Sequence, residues 1–304
     1  MADLKIKIAR VEFKNPIIMA SGTFGFGAEY GRFYDLNILG GFCTKGMTIN
    51  PKDGNASPRV AETPSGMLNS VGLQNPGVDE FIKYGNQNLK NCGTRVIANV
   101  AGASLEDYMA ALTKIDKSDF VDMIELNISC PNVKQGGIAF GVDPKSTFEI
   151  VSKAKKATKK PLMVKLTPNV SDIRVSAKAA EDAGADALSL INTVGGMAID
   201  YKTKRPVLKT IYGGLSGPAV KPIALKMVNQ VYNTVKIPIV GMGGIETAED
   251  ILEFFIAGSA AVQIGTANFY DPNIGKRLVN DLTNMLKKCN IDRISDLTGS
   301  LIVD

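Results

Sequence analysis

Eight short apolar, β-branched runs recur along this chain, separated by longer stretches with helical spacing, and no other feature constrains the fold as strongly. The runs are residues 17–20, 41–45, 96–100, 123–128, 162–166, 187–191, 237–241 and 261–265. Amphipathic patterns cover 28–36, 78–89, 105–115, 145–157, 172–183, 218–232, 248–257 and 273–288. In the helix from 172, Ile173, Ala177 and Ala180 point inward and Gly184 supplies the stop. Apolar runs without alternation are those of strands buried on both faces, and helices between them act as parallel crossovers. Eight such units predict an α/β fold, a (β/α)8 TIM barrel. A doubly wound sheet is the rival, but eight regular units without a Gly-rich nucleotide turn at the first speak against it.

Two connections exceed what such units need, 46–77 after the second strand and 192–217 after the sixth. Both leave strand C-termini, the face on which barrels build active sites. Both are rich in Gly, Pro, Asn and Ser, as binding loops are. Residues 4–13 read as a small hairpin closing the barrel bottom. There is no linker and no repeat beyond the βα unit, so residues 1–304 are expected to form one domain.

Composition narrows the chemistry. None of the 304 residues is histidine, which excludes Ser-His-Asp and Cys-His catalysis, H-E-x-x-H zinc sites and His-ligated haem. Acid–base work falls to Cys, Lys, Tyr, Asp or Glu. The four cysteines, Cys43, Cys92, Cys130 and Cys289, form no C-x-x-C pair. No metal site or cluster is therefore expected on this chain, and the sparse cysteines fit a reducing cytosol. The N-terminus lacks a signal-peptide core, and no apolar run nears the ~18 residues of a membrane span. A cytoplasmic protein is expected. The net charge of +5 is spread along the chain. Its densest basic run, 155–160, closes a helix, where lysines complement the dipole. No nucleic-acid partner is expected.

Polar or glycine residues stand at all eight strand C-termini: Ser21, Lys45, Asn99, Asn127, Lys165, Asn192, Gly243 and Gly265. So many converging polar groups are costly unless they bind something. Gly243-Gly244 and Gly265-Thr266 lie in the loops after strands 7 and 8, where barrels commonly hold a phosphate. No dinucleotide or Walker fingerprint is present. A flavin mononucleotide would require that phosphate site plus a cation near its ring, and Lys165 and Lys45 are such cations. A buried strand-end lysine without a ligand would require a carboxylate, and only Glu125, deeper in the fourth strand, is near. Cys130, in Asn127-Ile128-Ser129-Cys130-Pro131-Asn132, has polar residues on both sides, and on a loop beside lysines a thiol pKa can be lowered from ~8.5 toward neutrality. It is the candidate base. Cys43, Cys92 and Cys289 read as small apolar fillers.

Three motifs together, Asn69-Ser70-Val71-Gly72-Leu73-Gln74-Asn75-Pro76-Gly77, Asn127 to Asn132, and Ile191-Asn192-Thr193, resemble those of the dihydroorotate dehydrogenases. The resemblance spans essentially the whole chain, in order. Cys130 in place of a serine base, and the absence of a targeting helix, resemble class 1. Gly-Leu-Gln-Asn-Pro-Gly and Cys-Pro-Asn-Val-Lys-Gln-Gly-Gly are similar to the class 1B, NAD-dependent catalytic subunit, with the fumarate-using class 1A as the alternative. The resemblance implies oxidation of (S)-dihydroorotate to orotate in pyrimidine biosynthesis. It implies FMN held by Ser21, Lys45, Gly46, Asn99, Asn127, Lys165, Ile191 and Gly217, with phosphate at Gly243, Gly244, Gly265 and Thr266. Substrate would be held by Lys45, Asn69, Ser70, Val71, Gly72, Leu73, Asn127, Asn192 and Thr193. Cys130, with Lys45 as the second catalytic residue, would take the C5 proton while hydride leaves C6. FAD and an iron–sulfur cluster would reside on a partner subunit, two of each chain forming a heterotetramer around a catalytic homodimer.

Other classes make different demands. A flavin-dependent tRNA dihydrouridine synthase needs an RNA-binding helical domain and a basic face, for which this chain leaves no room. A non-redox phosphate-binding barrel would hold no yellow chromophore. In a non-catalytic flavoprotein, Cys130 and the asparagines would be idle.

Overall fold

All eight expected runs form strands. In the computed structural model, which describes residues 2–129 and 140–303, they are Ile17–Met19, Gly41–Cys43, Arg95–Val100, Met123–Asn127, Leu162–Lys165, Ala187–Leu190, Ile239–Met242 and Ala261–Ile264. They pair in parallel and in chain order, and the eighth closes on the first through Val262↔Ile17. The result is the expected (β/α)8 barrel. The seventh strand starts two residues late because Pro238 has no N–H to give the ladder.

Helices Val78–Asn88, Leu105–Ile115, Pro144–Ala157, Ile173–Asp182, Lys221–Tyr232, Ala248–Ala257 and Ile274–Lys288 surround the strands. Ile173, Ala177 and Ala180 are buried as their spacing demands. Side-chain caps fix the starts: Ser104 accepts from Asp107 N, Asp143 from Ser146 N, and Thr247 and Asp250 form a capping box. The segment 28–36 departs from expectation and forms two 3₁₀ turns, Tyr30–Arg32 and Leu36–Ile38. Tyr30 explains this: it stacks on Phe24 with centroids 4.4 Å apart, and its hydroxyl donates to Thr23 O at 2.8 Å. Those contacts fold the segment back onto the first strand's loop. Similarly, 218–220 is a 3₁₀ turn, and Pro222, with no N–H to donate, falls in the first turn of the helix that follows.

The N-terminal hairpin is present, Ile6–Ile8 against Val11–Phe13. Phe13 packs on Gly41 and Glu12 O accepts from Arg95 Nε at 2.8 Å. Both contacts lie at strand N-termini, so the hairpin closes the bottom face.

The long connections contain more order than their composition suggests. Val194–Met197, Tyr212–Ser216, Gly66–Asn69 and Val60–Thr63 pair in that order as a four-stranded antiparallel sheet over the opposite face. This sheet brings Asn69 opposite Gly214, with Asn69 Nδ2 3.5 Å from Gly214 O. A Cβ at Gly214 would overlap Thr193 Oγ1, so only glycine lets these strands meet. Gly214→Ala should therefore untie the sheet while the barrel stays folded. We expect a Tm within about 4 °C of the parent and faster tryptic cleavage at Lys202, Lys204 and Lys209. Unchanged cleavage would contradict this role for the sheet.

Candidate active site

The deepest layer of the site is built on Glu125, the third residue of Met123–Asn127 and wholly buried. Side chains two apart in a strand share a face, so Glu125 points inward below Asn127. Its Oε1 accepts from Asn99 Nδ2 at 2.6 Å and lies 3.8 Å from Lys165 Nζ. Its Oε2 accepts from Ser189 Oγ at 2.8 Å and Gln263 Nε2 at 2.6 Å. Lys165 thus has the carboxylate that a buried lysine requires. At 3.8 Å the pair is too long for a hydrogen bond, and the Lys165 ammonium donates none among the described residues. Asn99 Oδ1, facing Gly46, is buried without a partner.

Above this layer the asparagines are linked. Ser129 Oγ donates to Asn127 Oδ1 at 2.7 Å, Asn192 Nδ2 donates to Ser129 Oγ at 2.6 Å, and Thr193 N donates to Asn192 Oδ1 at 2.8 Å. Both carbonyl oxygens are consumed internally, so what remains for a ligand is N–H groups. Lys45, just past the second strand, is partly buried and has no side-chain partner among the described residues. Burial, and then repulsion from the Arg59 guanidinium, hold its ammonium below the usual lysine value. The face is rich in donors and suits a ligand rich in carbonyl or carboxylate oxygens.

Ser70 to Leu73 run on from the sheet. Asn55 holds them, its N donating to Val71 O at 2.9 Å and its Nδ2 to Ser70 O at 2.8 Å. Gly72, at φ +78°, approaches Asn55 too closely to carry a side chain. Across the barrel, Gly243, Gly244, Gly265 and Thr266 follow strands 7 and 8. Among the described residues none of their backbone N–H groups donates a hydrogen bond, as expected where an anion is received. Thr266 Oγ1 donates to Ser216 Oγ at 2.8 Å, next to Gly217. A Cβ at Gly265 would find nothing nearer than Ala20 Cβ at 3.7 Å, so the space before it is open. Ser21 lies past the first strand and Ile191, buried, past the sixth.

The expected site residues in the described part of the chain thus collect on one barrel face and its covering sheet. Cys130 lies outside the described residues. Of the presumed fillers, Cys43 is buried, and burial followed by Glu125 pushes its thiol well up. Cys92 is only half-buried and Cys289 is exposed at the end of a helix, so the filler reading fails for Cys289. Ser189 and Gln263 were not expected from sequence; both point inward from strands otherwise apolar, and that break in the pattern was the available signal.

The sequence has counterparts among known proteins. The family model described as dihydroorotate dehydrogenase matches residues 3–286. This chain belongs to the dihydroorotate dehydrogenase family. Members of that family are flavin-dependent. The chain is similar along its length to relatives described as "Dihydroorotate dehydrogenase B (NAD(+)), catalytic subunit". One from Thermoanaerobacter pseudethanolicus is 53% identical over 302 residues, covering 99% of this chain and 100% of the relative. One from Geobacter sp. (strain M21) is 52% identical over 98% of each chain, and one from Bacteroides thetaiotaomicron is 50% identical over 100% of each. Among the described residues of this dihydroorotate dehydrogenase family member, no helix is long and apolar enough to cross a membrane.

The Glu125 layer also bears on stability. Glu125→Ala strands a buried ammonium and three polar donors, and should cost roughly 3–5 kcal/mol of unfolding free energy. Urea denaturation measures this, and a loss under 1 kcal/mol would contradict it.

Proposed function

We propose that this chain is the FMN-binding catalytic subunit of an NAD-dependent dihydroorotate dehydrogenase. It oxidises (S)-dihydroorotate to orotate in the pyrimidine pathway to UMP. The observation that carries this reading is the buried Lys165 ammonium, which faces Glu125 at 3.8 Å and donates no hydrogen bond among the described residues, beneath a face of asparagine and lysine donors and beside four backbone amides that donate none there either. A flavin would fit this set: Gly243, Gly244, Gly265 and Thr266 would hold its phosphate, and Lys45, Asn99 and Lys165 its ring. Ser21, Gly46, Asn127, Ile191 and Gly217 complete that site. When bound, FMN supplies the two-electron acceptor for the hydride.

The substrate is an imide ring with a carboxylate, rich in acceptor oxygens. Asn127 and Asn192 meet it with the N–H groups their internal bonds leave over, Lys45 with its ammonium, and Asn69, Ser70, Val71, Gly72, Leu73 and Thr193 from the covering sheet. Closure of that sheet excludes water. Cys130, three residues past Asn127, takes the C5 proton as thiolate, since no histidine exists to do so. Residues 1–304 act as one domain in the cytoplasm. The chain has no dinucleotide fingerprint and no C-x-x-C pair. On this reading a partner subunit carrying FAD and an iron–sulfur cluster would supply the route to NAD, in a heterotetramer built on a catalytic homodimer.

Two experiments test this. Cys130→Ser should slow flavin reduction by dihydroorotate roughly 100- to 10,000-fold at unchanged FMN content. The wild-type rate should rise with pH through the thiol pKa (~8.5 unperturbed) to a plateau that the serine variant lacks. Stopped-flow bleaching measures both, and an unchanged rate removes Cys130 from the mechanism. The isolated chain should reduce artificial acceptors well and NAD poorly. Efficient NAD reduction without a partner would overturn the two-subunit reading, and turnover with fumarate would favour class 1A.

A further inference from the structure

We infer that Glu125 is a positioning residue for the flavin, orienting Asn99 and Lys165 beneath the ring and offsetting the lysine's charge there. The inference rests on the FMN reading above.

A carboxylate only accepts hydrogen bonds. Because Glu125 Oε1 meets the Asn99 amide at 2.6 Å, the Asn99 NH₂ must face the carboxylate; the reverse sense would set two oxygens in contact. Asn99 Oδ1 is thereby left as a buried acceptor with no donor among the described residues. The second oxygen of Glu125 is taken by Ser189 and Gln263, from the sixth and eighth strands. With both oxygens engaged, the carboxylate attracts Lys165 without capturing it, and at the 3.8 Å separation the ammonium donates no hydrogen bond among the described residues. That acceptor and that donor set, held beside the same carboxylate, match the pyrimidine end of a flavin, where an N–H lies between two carbonyls.

The charge has its own consequence. Reduction by two electrons puts negative charge on the ring, and a nearby ammonium alone would stabilise the reduced form. A carboxylate at 3.8 Å from that ammonium cancels much of its field in a low-dielectric interior. The flavin then stays reducing enough to hand its electrons onward to an acceptor as weak as a nicotinamide. Orientation of Asn99 affects oxidised and reduced flavin alike, whereas the charge affects them differently, so affinity and potential report separately on the two roles.

The test uses the full chain, wild type and two variants, with FMN as the titrant and no turnover. Glu125→Gln is nearly isosteric and uncharged. It should weaken FMN binding about 10- to 100-fold, because its amide disturbs the sense of Asn99, and should move the midpoint potential of bound flavin to more positive values. Glu125→Asp keeps the charge but not the reach, and should weaken binding while leaving the potential near that of wild type. Fluorescence titration gives the affinities, and anaerobic dye-equilibrated reduction gives the potentials. A potential unchanged in the Gln variant, or affinities unchanged in both, overturns the inference. If the Gln variant does not fold, the Asp variant decides: wild-type affinity there is contradictory. A wild-type chain with no affinity for FMN would instead overturn the proposed function.

Discussion

A carboxylate sealed in the middle of a barrel must be surrounded by donors or it unfolds the barrel, and everything at the mouth of this one is arranged around that requirement. Glu125 draws Asn99, Lys165, Ser189 and Gln263 to itself from four other strands. Five of the eight strands thereby share one polar junction among otherwise apolar layers. Desolvation alone would make such a junction a poor way to stabilise a fold. Its value lies in register: shifting any of these strands by one residue would turn its polar side chain out of the barrel. The strand ends above, which carry Lys45, Asn127 and Asn192, inherit their positions from it.

The upper half of the site depends on a second constraint, the pairing of two distant connections. Gly66–Asn69 and Tyr212–Ser216 are far apart in sequence, yet their pairing sets the Ser70–Leu73 segment over the barrel mouth. The glycines of this sheet permit its close approaches, as at Gly214 against Thr193. The barrel supplies the floor and the sheet a cover, joined to the barrel loops through Asn169 at Thr193 and Gly195 and through Thr266 at Ser216.

The barrel was legible in the sequence because parallel strands buried on both faces read as plain apolar runs, and because the helices between them have strong periodicity and clear caps. Legibility ended where long-range contacts overrode local pattern. Residues 28–36 carry a helical pattern, but the stacking of Tyr30 on Phe24 turns them back. The covering sheet left no trace because Gly195-Gly196 and Gly213-Gly214 break any alternation of polar and apolar residues. The candidate residues at strand ends stand out in sequence as polar or glycine positions closing apolar runs. Ser189 and Gln263 do not, since they lie one layer deeper, where the inward direction follows from strand parity and not from position at an end. Glu125 stands out in sequence as a lone acid, while its partners follow only from barrel closure.

The measurement that bears most directly on the whole account is the absorption spectrum of the purified chain under anaerobic conditions, before and after addition of dihydroorotate. A donor-rich barrel mouth, whose buried lysine and row of backbone amides donate no hydrogen bond among the described residues, should hold a flavin, and the substrate should bleach its visible band. A colourless protein, or a flavin band that dihydroorotate leaves untouched, would contradict it.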